Sequence, residues 1–422
     1  MPDHAAADAL AADLTAALGL QLAEADADLE ARFPGDLGGR QPVHTVYIRA
    51  DQITPDIVGE WGSRAQAHLA DHREILAELL TAQESDPESL LDLVEEKLAR
   101  EPIEDLRIDL EDGYGNHPDR EDDDARAAAR ALATAQQHGT TAPFHGIRFK
   151  SFEAPTRARG VRTLALFVGE LLDAGGSLES FVTTLPKVTS IDQVEAMVGA
   201  CTRMEQAWGL PARTLRFEIQ VETPQSVLGP DGTSLVARMI HAGDRRVTGL
   251  HYGTYDYSAF CGIAAAHQAM DHPVADMAKL VMQAAAAGTG VRLSDGSTNI
   301  LPVGDEDQIR RGWSTQLRLV RRSLERGYYQ GWDLHPAQLP SRYAATFAFY
   351  RGGFADAARR LDNYLHDKGG AVMDEPATAR ALADFVVRGI ESGALRSGEV
   401  VDACGVEHAA LVTLARPRRE TS

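Results

Sequence analysis

Short runs of alternating apolar and polar residues recur along this chain, separated by longer stretches with helical spacing. Val43-His44-Thr45-Val46-Tyr47-Ile48 is β-branched and alternating, as a strand requires. Further strand-like runs are DLRIDLED from 105, FHGIRFK from 144, FVTTLPKV from 181, LRFEIQVE from 215, VTGLHYG from 247, VRLSD from 291 and GWDLHP from 331. They follow one another at steps of roughly 30–45 residues, room for one strand and one helix each. The intervening segments are Ala-rich, and several, such as DDDARAAARALATAQQHG and SIDQVEAMVGACTRMEQAWG, stop at a glycine that suits a helix C-cap. With residues 43–48 as the first strand the repeat predicts eight strands, and eight points to an α/β fold closed as a (β/α)8 TIM barrel. No GxGxxG follows any of these strands, which counts against an open dinucleotide-binding sheet.

Three segments fall outside the repeat. Residues 5–30 predict a surface helix, ended by Phe33-Pro34-Gly35-Asp36. Residues 54–100 are strongly helical, with Asp86-Pro87 as a hinge. The expected organisation is therefore an N-terminal helical segment over 1–40 and a barrel over 41–340. The barrel carries a helical insertion, 51–104, over or beside its mouth. A C-terminal helical extension, 341–422, packs outside the barrel or reaches a neighbouring subunit, as in a homo-oligomer.

Composition narrows the partners. The 62 acidic residues against 42 basic ones give a formal charge of −20, a surface that repels nucleic-acid backbones and anionic membranes. Three scattered cysteines form neither a disulfide framework nor a CxxC metal site and read as reduced thiols of a cytoplasmic protein. The first residues lack the basic start and apolar run of a signal peptide, and no run of 18 uncharged apolar residues predicts a spanning helix.

In barrels of this type, catalytic groups sit at the C-terminal ends of the strands. Those ends hold Asp109-Leu110-Glu111-Asp112, Arg148 and Lys150, Lys187, Glu222, Asp256, Asp295, and Asp333 with His335. Glu222 and Asp256 close adjacent strands and offer hard oxygen ligands to Mg2+ or Mn2+, with helix capping as the alternative role. Gly253-Thr254-Tyr255 offers backbone N–H groups to an anion. Arg148 can donate to a developing enolate oxygen or close an ion pair at the mouth. His335 reads as structural, and Cys261 carries no sign of being a nucleophile.

The strand-end motifs Asp109-Leu110-Glu111-Asp112, Ile147-Arg148, Leu185-Pro186-Lys187-Val188, Val221-Glu222-Thr223, Gly253 to Asp256, Asp295-Gly296 and His335-Pro336-Ala337-Gln338 resemble, in order, the citrate lyase β-subunit-like branch of the HpcH/HpaI aldolase superfamily. Ala371-Val372-Met373-Asp374-Glu375-Pro376 resembles its C-terminal element. The resemblance implies a TIM barrel that makes or breaks C–C bonds beside a carbonyl, with Mg2+ or a related metal on Glu222 and Asp256. It also implies substrate oxygens on Arg148 and an acidic pair, Glu111 and Asp112, near the substrate. Lys150 stands where the branch has Asn, Asp112 where the hydroxy-diacid aldolases have His, and segment 51–104 is longer than the family norm. The expected activity is a metal-dependent carbon–carbon lyase or aldolase acting on a 2-oxo acid or an acyl-CoA of malyl, citramalyl or citryl type through an enolate. Its substrate is expected on Arg148, Lys150, Lys187, Gly253, Thr254 and Tyr255. Two alternatives keep the barrel: a Schiff-base aldolase using Lys187, and a protein binding phosphoenolpyruvate or an oxo acid through Lys150, Lys187 and Arg148.

Overall fold

In the computed structural model, which describes residues 4–82, 86–366 and 375–416, the alternating runs become β1 His44–Arg49, β2 Asp105–Asp109, β3 Phe144–Arg148, β4 Phe181–Leu185, β5 Arg216–Val221, β6 Val247–Tyr252, β7 Arg292–Ser294 and β8 Gly331–Asp333. All are parallel, in the order β7-β6-β5-β4-β3-β2-β1-β8. The ends of that order meet: Ser294 bridges Gln330, and the Asp295 N–H donates to the Gln330 carbonyl at 2.8 Å. The sheet is thus a closed (β/α)8 barrel with helices around it.

Alternation along each strand divides outside from inside. On β5, Phe217, Ile219 and Val221 are buried apolar residues, while Glu218 and Gln220 alternate with them and face the barrel axis. Arg107 of β2 reaches across to Glu218 of β5 at 2.8 and 3.1 Å, and Thr184 and His251 meet the same carboxylate at 2.6 and 3.0 Å. Barrel interiors of this kind are usually filled by branched aliphatics. Here a buried ionic network fills part of that space, each charge held by a partner.

The insertion forms the helices Ile57–Asp71, Arg73–Thr81 and Pro87–Arg100. The first packs on the turn Pro336–Gln338 just after β8, and its His68 ring stands edge-on to Trp313 at 5.2 Å. It therefore lies beside the mouth. Pro87–Arg100 lies against the long helix Leu339–Leu365. The proposed start of the C-terminal extension, 341, falls in the first turn of that helix. Tyr343, Phe347 and Tyr350 join the barrel core, whereas Ala357, Ala358 and Leu361 build a smaller core with the helices Pro376–Ser392, Ser397–Cys404 and His408–Ala415. Of the C-terminal motif, residues 371–374 lie outside the described residues.

The N-terminal helix, His4–Arg32, has no buried residue. Its most apolar 18-residue window has a mean hydropathy of 1.2, enough by length and composition alone to cross a membrane, although acidic residues leave no uncharged run of 18 in it. Many of its apolar positions are alanines, which raise mean hydropathy without any long run of large side chains, and a single such helix is weak evidence for a span. It ends where Phe33 meets the His241 ring edge-on at 5.4 Å and the Gly35 N–H donates to the Gly288 carbonyl.

Candidate active site at the barrel mouth

Five strands deliver charged side chains to one end of the barrel. Glu111 and Asp112 follow β2, Arg148 ends β3, Lys187 follows β4, Glu222 follows β5, and Asp256 follows β6 in the short helix Thr254–Phe260. Lys187 stands at their centre. Its ammonium lies 2.6 Å from Asp112, 2.8 Å from Glu111 and 3.2 Å from Asp256. Its backbone N–H donates to Glu222 Oε1 at 2.7 Å. Side chain and main chain can serve the same cluster because Lys187 has φ +51°, in the left-handed region.

Glu222 is 2% exposed, and burial raises its carboxyl pKa from an ordinary 4.5 to about 8; Lys187 opposes the shift, and Glu111 and Asp256 add to it. Burial also raises Glu111, whereas Asp112 is held down despite its own burial, chiefly by the hydrogen bond and charge of Lys187. Three carboxylates stay close to a buried fourth that prefers its proton, so the cluster is short of positive charge.

A group whose folded pKa lies above its unfolded value favours the folded state fully below the unfolded pKa, and the benefit is lost as pH rises through the folded pKa. For Glu222 that window runs from about 4.5 to about 8. The metal-free protein should therefore lose thermal stability as pH rises from about 5 to about 8, and Glu222→Gln should lose less. Melting curves across that range check this; parallel curves for the two proteins would contradict it.

Arg148 is nearly buried and held side-on by Asp109, with Nε to Oδ1 at 2.7 Å and Nη2 to Oδ2 at 2.8 Å. Its guanidinium lies 4.6 Å from the Tyr47 ring centre and 6.0 Å from that of Trp332. Glu111 is 3.8 Å from Nη1. One edge of the fork is thus taken by Asp109, and the Nη1 edge faces the cluster.

The remaining candidates hold the loops. Lys150 donates to the carbonyls of Leu110 at 3.2 Å and Gly115 at 2.8 Å, fixing the segment that bears Glu111 and Asp112. Tyr255 Oη accepts the Asn299 N–H, and Thr254 Oγ1 donates to the Ser297 carbonyl at 3.3 Å, tying the Asp256 helix to the loop after β7. The Gly253 N–H is spent on the Val221 carbonyl at 3.0 Å. Glycine is needed at 253 because a Cβ there would lie 2.5 Å from Glu222 Cβ and 2.8 Å from its Oε2. Gly253→Ala should therefore displace Glu222 and weaken metal binding by about tenfold or more with the fold retained, as calorimetry with Mn2+ and circular dichroism would show.

Asp295, Asp333 and His335 stand apart from the cluster. Asp295 is bonded to Lys279 and Ser323, Asp333 to His44, Gln316 and Arg342, and His335 caps the turn after β8. Sequence reading did not single out Tyr47 and Gln220. Tyr47 lies under Arg148, and Gln220 occupies the axis-facing position between Glu218 and Glu222 with neither amide atom hydrogen-bonded. Their signal was present: each is the polar or aromatic partner in an alternating strand.

Glu222 and Asp256 fit a divalent cation by chemistry, since Mg2+ takes one or two carboxylates and completes its shell with water and substrate. Among the described residues no three His, Cys, Asp or Glu side chains form a ready cage; the carboxylates here surround an ammonium instead.

A sequence profile described as "Domain of unknown function (DUF6986)" matches residues 22–419. Curated protein sequences gave no match. Among solved structures, a citrate lyase from Burkholderia xenovorans LB400 is similar at 19% identity and a TM-score of 0.57, covering 87% of this chain and 98% of that one. The protein CitE from Mycobacterium tuberculosis, in complex with magnesium, acetoacetate and coenzyme A, is 17% identical over 84% of this chain and 99% of that one, with a TM-score of 0.49. A Haloferax volcanii malate synthase complex with magnesium and glyoxylate is 13% identical over 89% and 97%, also at 0.49. The likeness to the first is one of fold, and it agrees with the barrel.

Proposed function

This chain belongs to the DUF6986 family, and from that premise we propose that it is a metal-dependent carbon–carbon lyase or aldolase of the HpcH/HpaI, citrate lyase-like kind. Its substrate is a 2-oxo acid or an acyl-CoA of malyl, citramalyl or citryl type. The observation that carries the reading is the convergence of Glu111, Asp112, Glu222 and Asp256 with Arg148 at the C-terminal mouth of the barrel. The ordered strand-end motifs support the same class.

Glu222 and Asp256 would hold Mg2+ or Mn2+. When bound, the metal supplies a Lewis acid that polarises the substrate carbonyl and offsets charge as an enolate forms. Arg148 adds a donor beside that oxygen, its orientation set by Asp109 and the Tyr47 ring. The acidic pair divides its tasks by environment. Asp112 stays ionised, while burial makes Glu111 the better proton carrier. In cleavage, Glu111 takes the proton of the substrate hydroxyl as the C–C bond breaks, leaving a carbonyl product and an enolate that is then protonated.

The Schiff-base alternative needs a neutral lysine amine. Burial lowers the Lys187 pKa, but the nearby Glu222 and Glu111 carboxyls and the hydrogen bonds to Asp112 and Glu111 raise it above the ordinary lysine value and hold the amine protonated. A panel of 2-oxo acids and malyl-, citramalyl- and citryl-CoA, assayed with Mg2+ and with EDTA, tests the reading. Metal-dependent cleavage or enolisation is the expected result. Borohydride trapping of pyruvate on Lys187, unaffected by EDTA, would contradict it.

A further inference from the structure

We propose that the Lys187 ammonium is a tethered cation that holds the mouth carboxylates together in the free protein and gives up Asp256 when a divalent metal binds. The inference rests on the metal reading above and assigns this lysine a part in it.

Three observations lead there. First, the ammonium donates hydrogen bonds to Glu111 and Asp112 and makes a longer ion pair with Asp256 at 3.2 Å, so three carboxylates surround it and Asp256 is the one held by charge alone. Second, the backbone of the same residue grips the fourth carboxylate, Glu222, through a left-handed conformation that non-glycine residues seldom adopt. One residue thereby contacts all four acids. Third, Arg148 is committed side-on to Asp109, which leaves Lys187 as the cation at the centre of the cluster.

A metal on Asp256 would share that carboxylate with the ammonium. The ammonium is 3.2 Å from Asp256 Oδ2, and a Mg–O bond is about 2.1 Å, so the two cations would stand within roughly 5.5 Å of each other. Lysine is a point charge on a flexible four-carbon stem, able to shift without moving its backbone. Glu111 and the half-exposed Asp112 offer it a place to remain on the solvent side. The Lys187 N–H can keep its bond to Glu222 throughout. An ammonium released from Asp256 then faces the mouth, where it can meet a carboxylate of the substrate. The order of addition follows: metal first, anionic substrate second.

The experiment is a Mn2+ titration of the full-length protein, read by the electron paramagnetic resonance of free Mn2+, on wild type and Lys187→Met. That variant keeps the backbone N–H and removes the charge. We expect it to bind Mn2+ about tenfold more tightly than wild type. In parallel, acetylation of wild-type Lys187, read by mass spectrometry with Lys150 as internal reference, should speed up when Mn2+ replaces EDTA. Equal or weaker Mn2+ binding by Lys187→Met overturns the inference and leaves the metal reading standing, as does unchanged labelling in a wild type that binds Mn2+. Absence of Mn2+ binding in both proteins overturns inference and metal reading together. Should Lys187→Met fail to fold, the wild-type labelling decides alone.

Discussion

Glu222→Gln should bind Mn2+ on the order of a hundredfold more weakly than wild type, and lose turnover with it, while its fold survives. The replaced carboxylate is buried but prefers its proton near neutrality, so a neutral amide of the same shape suits the metal-free site at least as well. The amide can still accept the Lys187 N–H through its oxygen. It cannot supply the anionic oxygen that a hard cation needs. Asp256→Asn should lower affinity as well, with even less risk to folding, because its side chain is 37% exposed. Calorimetry with Mn2+ and Mg2+, beside melting curves, separates the readings. Unchanged affinity in both variants, or collapse of the fold in Glu222→Gln, would remove the site.

Arg148→Lys should lose on the order of a hundredfold in kcat/KM and some stability as well. The sequence posed these as alternatives, a substrate donor or a structural ion pair, and the structure joins them in one side chain. Asp109 takes the Nε and Nη2 edge at 2.7 and 2.8 Å, and Tyr47 stacks against the plane at 4.6 Å. A lysine cannot reproduce that bidentate grip or the stacking, which leaves Asp109 buried with a poorer partner. The stability cost should be about 1–3 kcal/mol, the range for a charged hydrogen bond lost in the interior. Asp109→Asn tests the division of roles. It loosens Arg148 without removing it, so its effect on melting should match that of Arg148→Lys while its kinetic loss is smaller. If Arg148→Lys melts early yet keeps full kcat/KM, the substrate role fails.

Strand positions and barrel closure were legible because parallel strands with an outward apolar face write a period of two into the sequence, and helices between them write a period near 3.6. Each of the eight runs holds a strand that starts within a residue of the run's first position, although three runs continue three residues past the strand's end, and the end-of-strand rule gathered Glu111, Asp112, Arg148, Lys187, Glu222 and Asp256 at the same mouth. Who bonds to whom was not legible. Lys187 at the focus of the acids depends on a single left-handed φ after Pro186, which no local pattern announces. Likewise, the Asp109–Arg148 pair joins residues 39 positions apart through the register of β2 and β3. Gly253 looked like a cradle for an anion, yet its missing Cβ makes room for Glu222 instead. The same rule also pointed to Asp295, Asp333 and His335, because sequence cannot tell a side chain facing the mouth from one bonded to an outer helix, as Asp295 and Asp333 are, or capping its own turn, as His335 does.

The most direct measurement is anomalous X-ray diffraction from crystals of the full chain grown with Mn2+. A manganese peak bonded at about 2.2 Å to carboxylate oxygens of both Glu222 and Asp256 is the result this account predicts. A peak bound elsewhere, or density at the mouth showing only the Lys187 ammonium among the acids at millimolar Mn2+, would contradict it.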